Sequence, residues 1–291
     1  MPTKDERKVE AKKHNGLVRG VFEREIQEAI ETAVIYEDGD GRELDLPEPR
    51  FEQTQVGVAW DTLARVVEGA TGKVCVLDPA SFVRPGGNYL GGGWSPEEQL
   101  CAESNLFPVL EGLKERYYDV NRQSGRGGLN SDRALYLADI VFTTAGVTQK
   151  RDILVIAPVN RRLALENNRP VAECDIDLEN RIEALMRIAA VNEPDTLVLC
   201  AFGCGFFEND PNRVAGLFKA WLDAHPGLFK RVVFAIAGGP SLDAFRDAFP
   251  FEAERRVVET KEDDQEKDDE ADGDDEYTDI APASDGRWVF N

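Results

Sequence analysis

Residues 73–98 read KVCVLDPASFVRPGGNYLGGGWSPEE. The stretch opens on an apolar run, KVCVLD, crosses a loop in which five of the eight residues from Gly86 to Gly93 are glycine, and closes on Ser95-Pro96-Glu97-Glu98. An apolar run without alternation is the pattern of a strand covered on both faces. Ser, then Pro, then Glu three residues after the Ser is a helix start, with Ser95 as cap and Pro96 in the first turn. The local order is therefore strand, glycine loop, helix. In sheets built this way a ligand sits outside the carboxyl ends of the strands.

The same alternation extends downstream. Apolar runs of strand length recur at Asp139–Thr143 (DIVFT), Ile153–Val159 (ILVIAPV), Thr196–Phe202 (TLVLCAF) and Arg231–Ala237 (RVVFAIA). Helical periods are expected from Pro96 to about Glu115 and over Leu178–Ala190, Pro211–Ala224 and Leu242–Phe249. Upstream, Val18, Phe22, Ile26, Ala29, Ile30 and Ala33 form an apolar stripe that ends at the turn residues Glu37–Gly41. A further helical period is expected from Val56 to Val67, with Trp60, Leu63, Val66 and Val67 on one side. The pattern predicts an α/β protein: a three-layer α/β/α domain with a mixed, mostly parallel sheet. It divides into an N-terminal helical extension packed on the core (1–55), the core itself (56–255) and a tail (256–291).

The chain has 291 residues, with 34 basic and 55 acidic side chains and a net charge of −21. Between Glu259 and Asp279 stand 13 acidic residues and two lysines, a local charge of −11 that leaves −10 for the rest. Beyond Arg256 large apolar side chains are nearly absent until Trp288-Val289-Phe290, so the tail is expected to be disordered. It offers acidic contacts to basic proteins. A field this negative opposes broad nucleic-acid binding. No stretch approaches the ~20 apolar residues that cross a bilayer, and the charged start shows no export segment. An intracellular protein, cytoplasmic or nuclear, is expected. Five scattered cysteines (Cys75, Cys101, Cys174, Cys200, Cys204) fit reduced thiols. Two histidines, His14 and His225, fit neither a zinc site nor a Ser-His-Asp triad.

Chemistry must then lean on carboxylates and backbone groups. A loop poor in β-carbons lets N–H groups close around a phosphate; the other reading is a flexible surface loop. A second glycine loop, Phe202-Gly203-Cys204-Gly205-Phe206-Phe207, also leaves a strand at its carboxyl end, and Asp210-Pro211 follows as a helix start. One diphosphate could lie between the two loops. Glu97 and Glu98 have two readings as well. They complete a capping box, or they face the cleft and protonate a leaving oxygen as positive charge builds on a ribose. A nearby second carboxylate and a bound diphosphate favour the protonated form, whereas the helix N-terminus opposes it.

VLDPASFVRPGGNYLGGGWSPEEQLCAES resembles the signature of the microbial-type poly(ADP-ribose) glycohydrolases, in which a P-G-G-G loop precedes Q-E-E and a leucine-cysteine helix. IAPVN at 156–160 and LVLCAFGCGFFENDPNRVAGLF at 197–218 are similar to two further family blocks, in the same order, and the likeness runs from about residue 17 to 250. The resemblance implies a macrodomain fold that holds ADP-ribose, with no metal and no cofactor, and a hydrolase acting on poly(ADP-ribose) or ADP-ribosylated proteins. It implies Glu98 as proton donor and Glu97 on the ribose hydroxyls. It places Asp78, Gly86 and Gly87 on the distal ribose and diphosphate, and Gly203, Cys204, Gly205 and Phe206 around the diphosphate. The chain departs from the family at Pro96, where Gln is usual, at Asp78, where the microbial type has Asn, and at Pro79, Ser81 and Asn88. These departures favour an alternative, a non-catalytic ADP-ribose-binding module.

Overall fold

The computed structural model describes residues 2–124, 126–144 and 147–250. The acidic tail at 256–291, with Trp288–Phe290, lies outside the described residues. Among these, seven strands form one sheet: β1 Val34–Tyr36, β2 Gln55–Ala59, β3 Val74–Pro79, β4 Ala134–Thr144, β5 Val147–Ile156, β6 Thr196–Leu199 and β7 Arg231–Ala235. Their spatial order is β1-β4-β5-β3-β6-β7-β2. β5, β3, β6, β7 and β2 run parallel, while β1, β4 and β5 pair antiparallel. The mixed, mostly parallel sheet of the α/β/α expectation is present.

The central strands β3 and β6 are buried over nearly their whole length. Val74, Cys75, Val76 and Leu77 of β3 and Leu197, Val198 and Leu199 of β6 are almost fully covered, as their unbroken apolar runs required. The helices 23–32, 63–69, 96–102 and 106–112 pack together on one side, reaching β4, β3 and β6; 171–191, 211–224 and 240–248 pack in succession on β5 and β2. Phe234 of β7 anchors that second layer, with Phe218, Phe245 and Phe249 at ring distances of 5.3, 4.9 and 4.8 Å. Each fully buried phenylalanine of such a cluster contributes about 1.5–3 kcal/mol.

Several elements differ from the sequence expectation. The period assigned to one helix over Val56–Val67 is a strand, Gln55–Ala59, followed by a helix, Leu63–Gly69. Trp60 lies in the junction, 64 % exposed rather than on an apolar face. The helix expected to reach Glu115 stops at Ala102 and restarts at Leu106. Between them Asn105 N–H donates to Val141 O and Thr143 N–H to Glu103 O, so the chain pairs briefly with β4. Val34–Tyr36, three residues long, adds an edge strand that the apolar stripe did not reveal. The helix Pro211–Ala224 matches in both ends.

Candidate active site

β3 and β6 are parallel neighbours, with Val74 opposite Thr196 and Val76 opposite Val198. The loops that follow them, 80–95 and 200–210, therefore leave the same edge of the sheet side by side. The two glycine loops that the sequence could only suggest as partners are brought together by the strand order.

In the first loop the chain folds through successive turns: Gly87 N–H donates to Arg84 O, Tyr89 N–H to Gly86 O and Gly93 N–H to Asn88 O. Gly87 sits at φ +56, and a β-carbon there would stand 2.6 Å from Glu98 Oε1 and 2.8 Å from Glu97 Oε2. The loop thus needs glycine both for its backbone and for its closeness to the two carboxylates. Gly86 is pressed as tightly from the core side, where a β-carbon would meet Phe107 and Cys101.

Ser95, Pro96 and Glu98 form the capping box expected of them. Glu98 accepts from Ser95 N–H at 2.7 Å and from the Ser95 hydroxyl, and its other oxygen accepts from Asn88 N–H at 2.8 Å. The cap and the loop contact are properties of one buried side chain, so the two readings of Glu98 are not exclusive. Glu97 is buried too; its Oε2 accepts from Ser81 N–H at 2.8 Å, while Oε1 has no partner. Asp78, fully buried at the end of β3, has neither oxygen partnered. A buried acceptor without a donor costs about 1–3 kcal/mol, which a ligand hydroxyl can relieve.

Burial first, and then the charge of Glu98, pushes the Asp78 carboxyl up to about 8. Burial, followed by the neighbouring Asp78, holds Glu97 well above the usual carboxylate range. Desolvation outweighs like-charge repulsion in both. At neutral pH Asp78 therefore retains its proton beside the loop.

The second loop is built differently. Cys204 N–H donates to Ala201 O and Glu208 N–H to Gly205 O, and the buried Asn209 amide donates to both Gly203 O and Val159 O. Gly205 is exposed, and Phe206 is exposed with its ring 4.0 Å from the Arg162 guanidinium. Burial and then the charge of Asp210 push the Cys204 thiol up to about 12, so it stays a thiol and not a nucleophile. Asp210 caps its own helix through Asn212 N–H.

Trp60 belongs to this edge as well. It follows β2, and its indole N–H donates to Ala237 O beyond the end of β7 at 3.1 Å. Arg246 lies 6.0 Å from the ring. From β3 to β2 is three strand spacings, roughly 14 Å. Sequence reasoning missed this residue because it was assigned to a helix side. An isolated Trp immediately after a strand run was the available signal.

The chain matches the family model described as "Microbial-type PARG, catalytic domain" over residues 12–144. No curated protein compared with it matches. Among solved structures, it is similar to the poly(ADP-ribose) glycohydrolase of Thermomonospora curvata, with 28 % identity, 77 % of this chain and 88 % of that one covered, and a TM-score of 0.68. The same enzyme bound to the inhibitor ADP-HPD matches at 29 % identity over the same shares, with a TM-score of 0.67. The Deinococcus radiodurans enzyme in complex with ADP-ribose matches at 27 % identity, covering 77 % of this chain and 96 % of that one, with a TM-score of 0.67.

Proposed function

From the premise that this chain is a poly(ADP-ribose) glycohydrolase-like enzyme, we propose that it releases ADP-ribose from poly(ADP-ribose) or ADP-ribosylated protein, with Glu98 as proton donor. One observation carries this reading: Glu98 is buried against a glycine loop that shares its sheet edge with a second glycine loop.

The bond from the anomeric carbon to the leaving oxygen breaks as the Glu98 carboxyl gives that oxygen its proton. Water bonds to the anomeric carbon, and the proton it sheds returns to Glu98. Glu97 and Asp78, with their unpartnered oxygens, accept hydrogen bonds from the distal ribose. Backbone N–H groups of Gly203, Gly205 and Phe206 hold the diphosphate against the Gly86-Gly87 turn, whose Gly87 N–H, like that of Cys204, is taken up within its own loop. The adenosine end then extends along the edge toward Trp60, whose fixed, exposed indole offers a stacking face.

The second reading is a binding module without turnover. It is favoured by one observation: both oxygens of Glu98 already accept hydrogen bonds, from Asn88 and Ser95. Incubation with poly(ADP-ribose) chains and, separately, with a mono-ADP-ribosylated protein distinguishes the two. Free ADP-ribose appears if the chain is a hydrolase. Tight ADP-ribose binding by calorimetry, without release from either substrate over hours, identifies a binding module.

A further inference from the structure

The glycine loop touches the carboxylate on its inner side only. On its outer side lies the helix Lys4–Val21, most of which is exposed, with only Ala11 and Val18 buried. Four of its residues meet the loop. Arg7 Nε donates to Gly92 O at 3.1 Å, and its guanidinium lies 5.8 Å from the Trp94 ring. The Tyr89 hydroxyl donates to Ala11 O at 3.2 Å and shares a hydrogen bond of 2.8 Å with His14 Nδ1. Gly92 approaches so closely that a β-carbon would stand 2.3 Å from Lys4 O. Positions 4, 7, 11 and 14 share one helix face.

The inner side of the same few residues holds Glu98. Asn88 N–H donates to Oε1, Gly93 N–H folds back onto Asn88 O, and a β-carbon on Gly93 would stand 2.8 Å from Oε1. The loop is therefore a thin layer between a surface helix and the carboxylate. Its glycines cannot fix it through side chains, so its position is set from the two sides.

We propose that Arg7 and Tyr89 are positioning residues, which fix the 88–94 loop from outside and through it the orientation of Glu98. This rests on Glu98 being the proton donor. The N-terminal helix then acts as a strap over the site. Displacing a reacting group by about 1 Å costs up to 10²-fold in rate, so a loose strap is expressed in turnover before it is expressed in stability. The helix holds few buried groups of its own, which places it at the low-stability end of the fold.

The test is steady-state release of ADP-ribose from poly(ADP-ribose) by the full chain and its variants. Arg7→Ala and Tyr89→Phe are each expected to lower kcat about 5–20-fold with KM within about threefold and the melting midpoint within about 2 °C. Arg7→Lys, which can still donate to Gly92 O, restores most of the rate. Tyr89→Phe keeps the ring against Phe107, 5.2 Å away, and so preserves the fold if Arg7→Ala does not. Arg19→Ala cuts an ion pair with Glu111 near the far end of the same helix and leaves kcat unchanged. Parent-like kcat in Tyr89→Phe and Arg7→Ala overturns the proposal, as does an equal loss in Arg19→Ala. Glu98→Gln is assayed alongside. If it retains full turnover, the proton-donor assignment fails and this inference with it; if it alone is inactive, only the strap is refuted.

Discussion

Gly87 has no room for a side chain because Glu98 occupies it: a β-carbon at Gly87 would stand 2.6 Å from Glu98 Oε1. The loop and the carboxylate are fitted to each other, and either can be disturbed through the other.

Gly87→Ala is the direct probe of that fit. The left-handed backbone costs an alanine about 1–2 kcal/mol, which a folded domain of this size survives. The displaced carboxylates should lower kcat about 10²-fold. Thermal melts and initial rates on poly(ADP-ribose) check both halves; a large fall in stability at parent-like rate would contradict the argument.

Asp78 provides a pH signature. Its carboxyl is pushed from 3.8 to about 8, so the folded chain binds a proton there that the unfolded chain releases. The stability it contributes is fully present below pH 4 and is lost as pH rises through about 8. Asp78→Asn removes that loss. Its melting midpoint relative to the parent should climb by roughly 8–16 °C between about pH 5 and 8.5, then level off. A difference that does not vary with pH would show that the acid is not buried as described.

Trp60 tests the far end of the ligand. Trp60→Ala should weaken ADP-ribose binding about 5–30-fold, the worth of one base stacked on an aromatic ring, with kcat nearly unchanged. Trp60→Phe should retain most of the affinity. Calorimetry with ADP-ribose measures both, and unaltered affinity in the alanine variant would move the adenine elsewhere.

What the sequence makes legible follows from where its signals are local. Asp210-Pro211 sets a helix start through its own side chain and ring, and the helix is found where that pair places it. β3, β6 and β7 are buried on both faces, so their apolar runs are unmistakable. Two helices meet at Phe22 because no local rule signals a break inside a continuous apolar stripe. Val56, Trp60 and Leu63 mimic a helical period across a strand, a loop and a helix start. Ser104-Asn105 interrupts a helix only because β4 lies alongside, a long-range partner. At the candidate site the capping box and glycine loops are visible in sequence. Their adjacency is not, because it depends on β3 and β6 pairing across more than 120 residues. The helix over the loop is equally hidden, since its contacts use two backbone carbonyls, one arginine and one histidine.

The central claim is that the carboxyl of residue 98 gives its proton to the leaving sugar oxygen, and Glu98→Gln addresses it most directly. The amide keeps the size of the side chain and one acceptor oxygen but has no acidic proton. Release of ADP-ribose from poly(ADP-ribose) should fall at least about 10³-fold, while ADP-ribose affinity stays within a few-fold and the fold persists. Turnover at the parent rate would show that Glu98 only caps its helix.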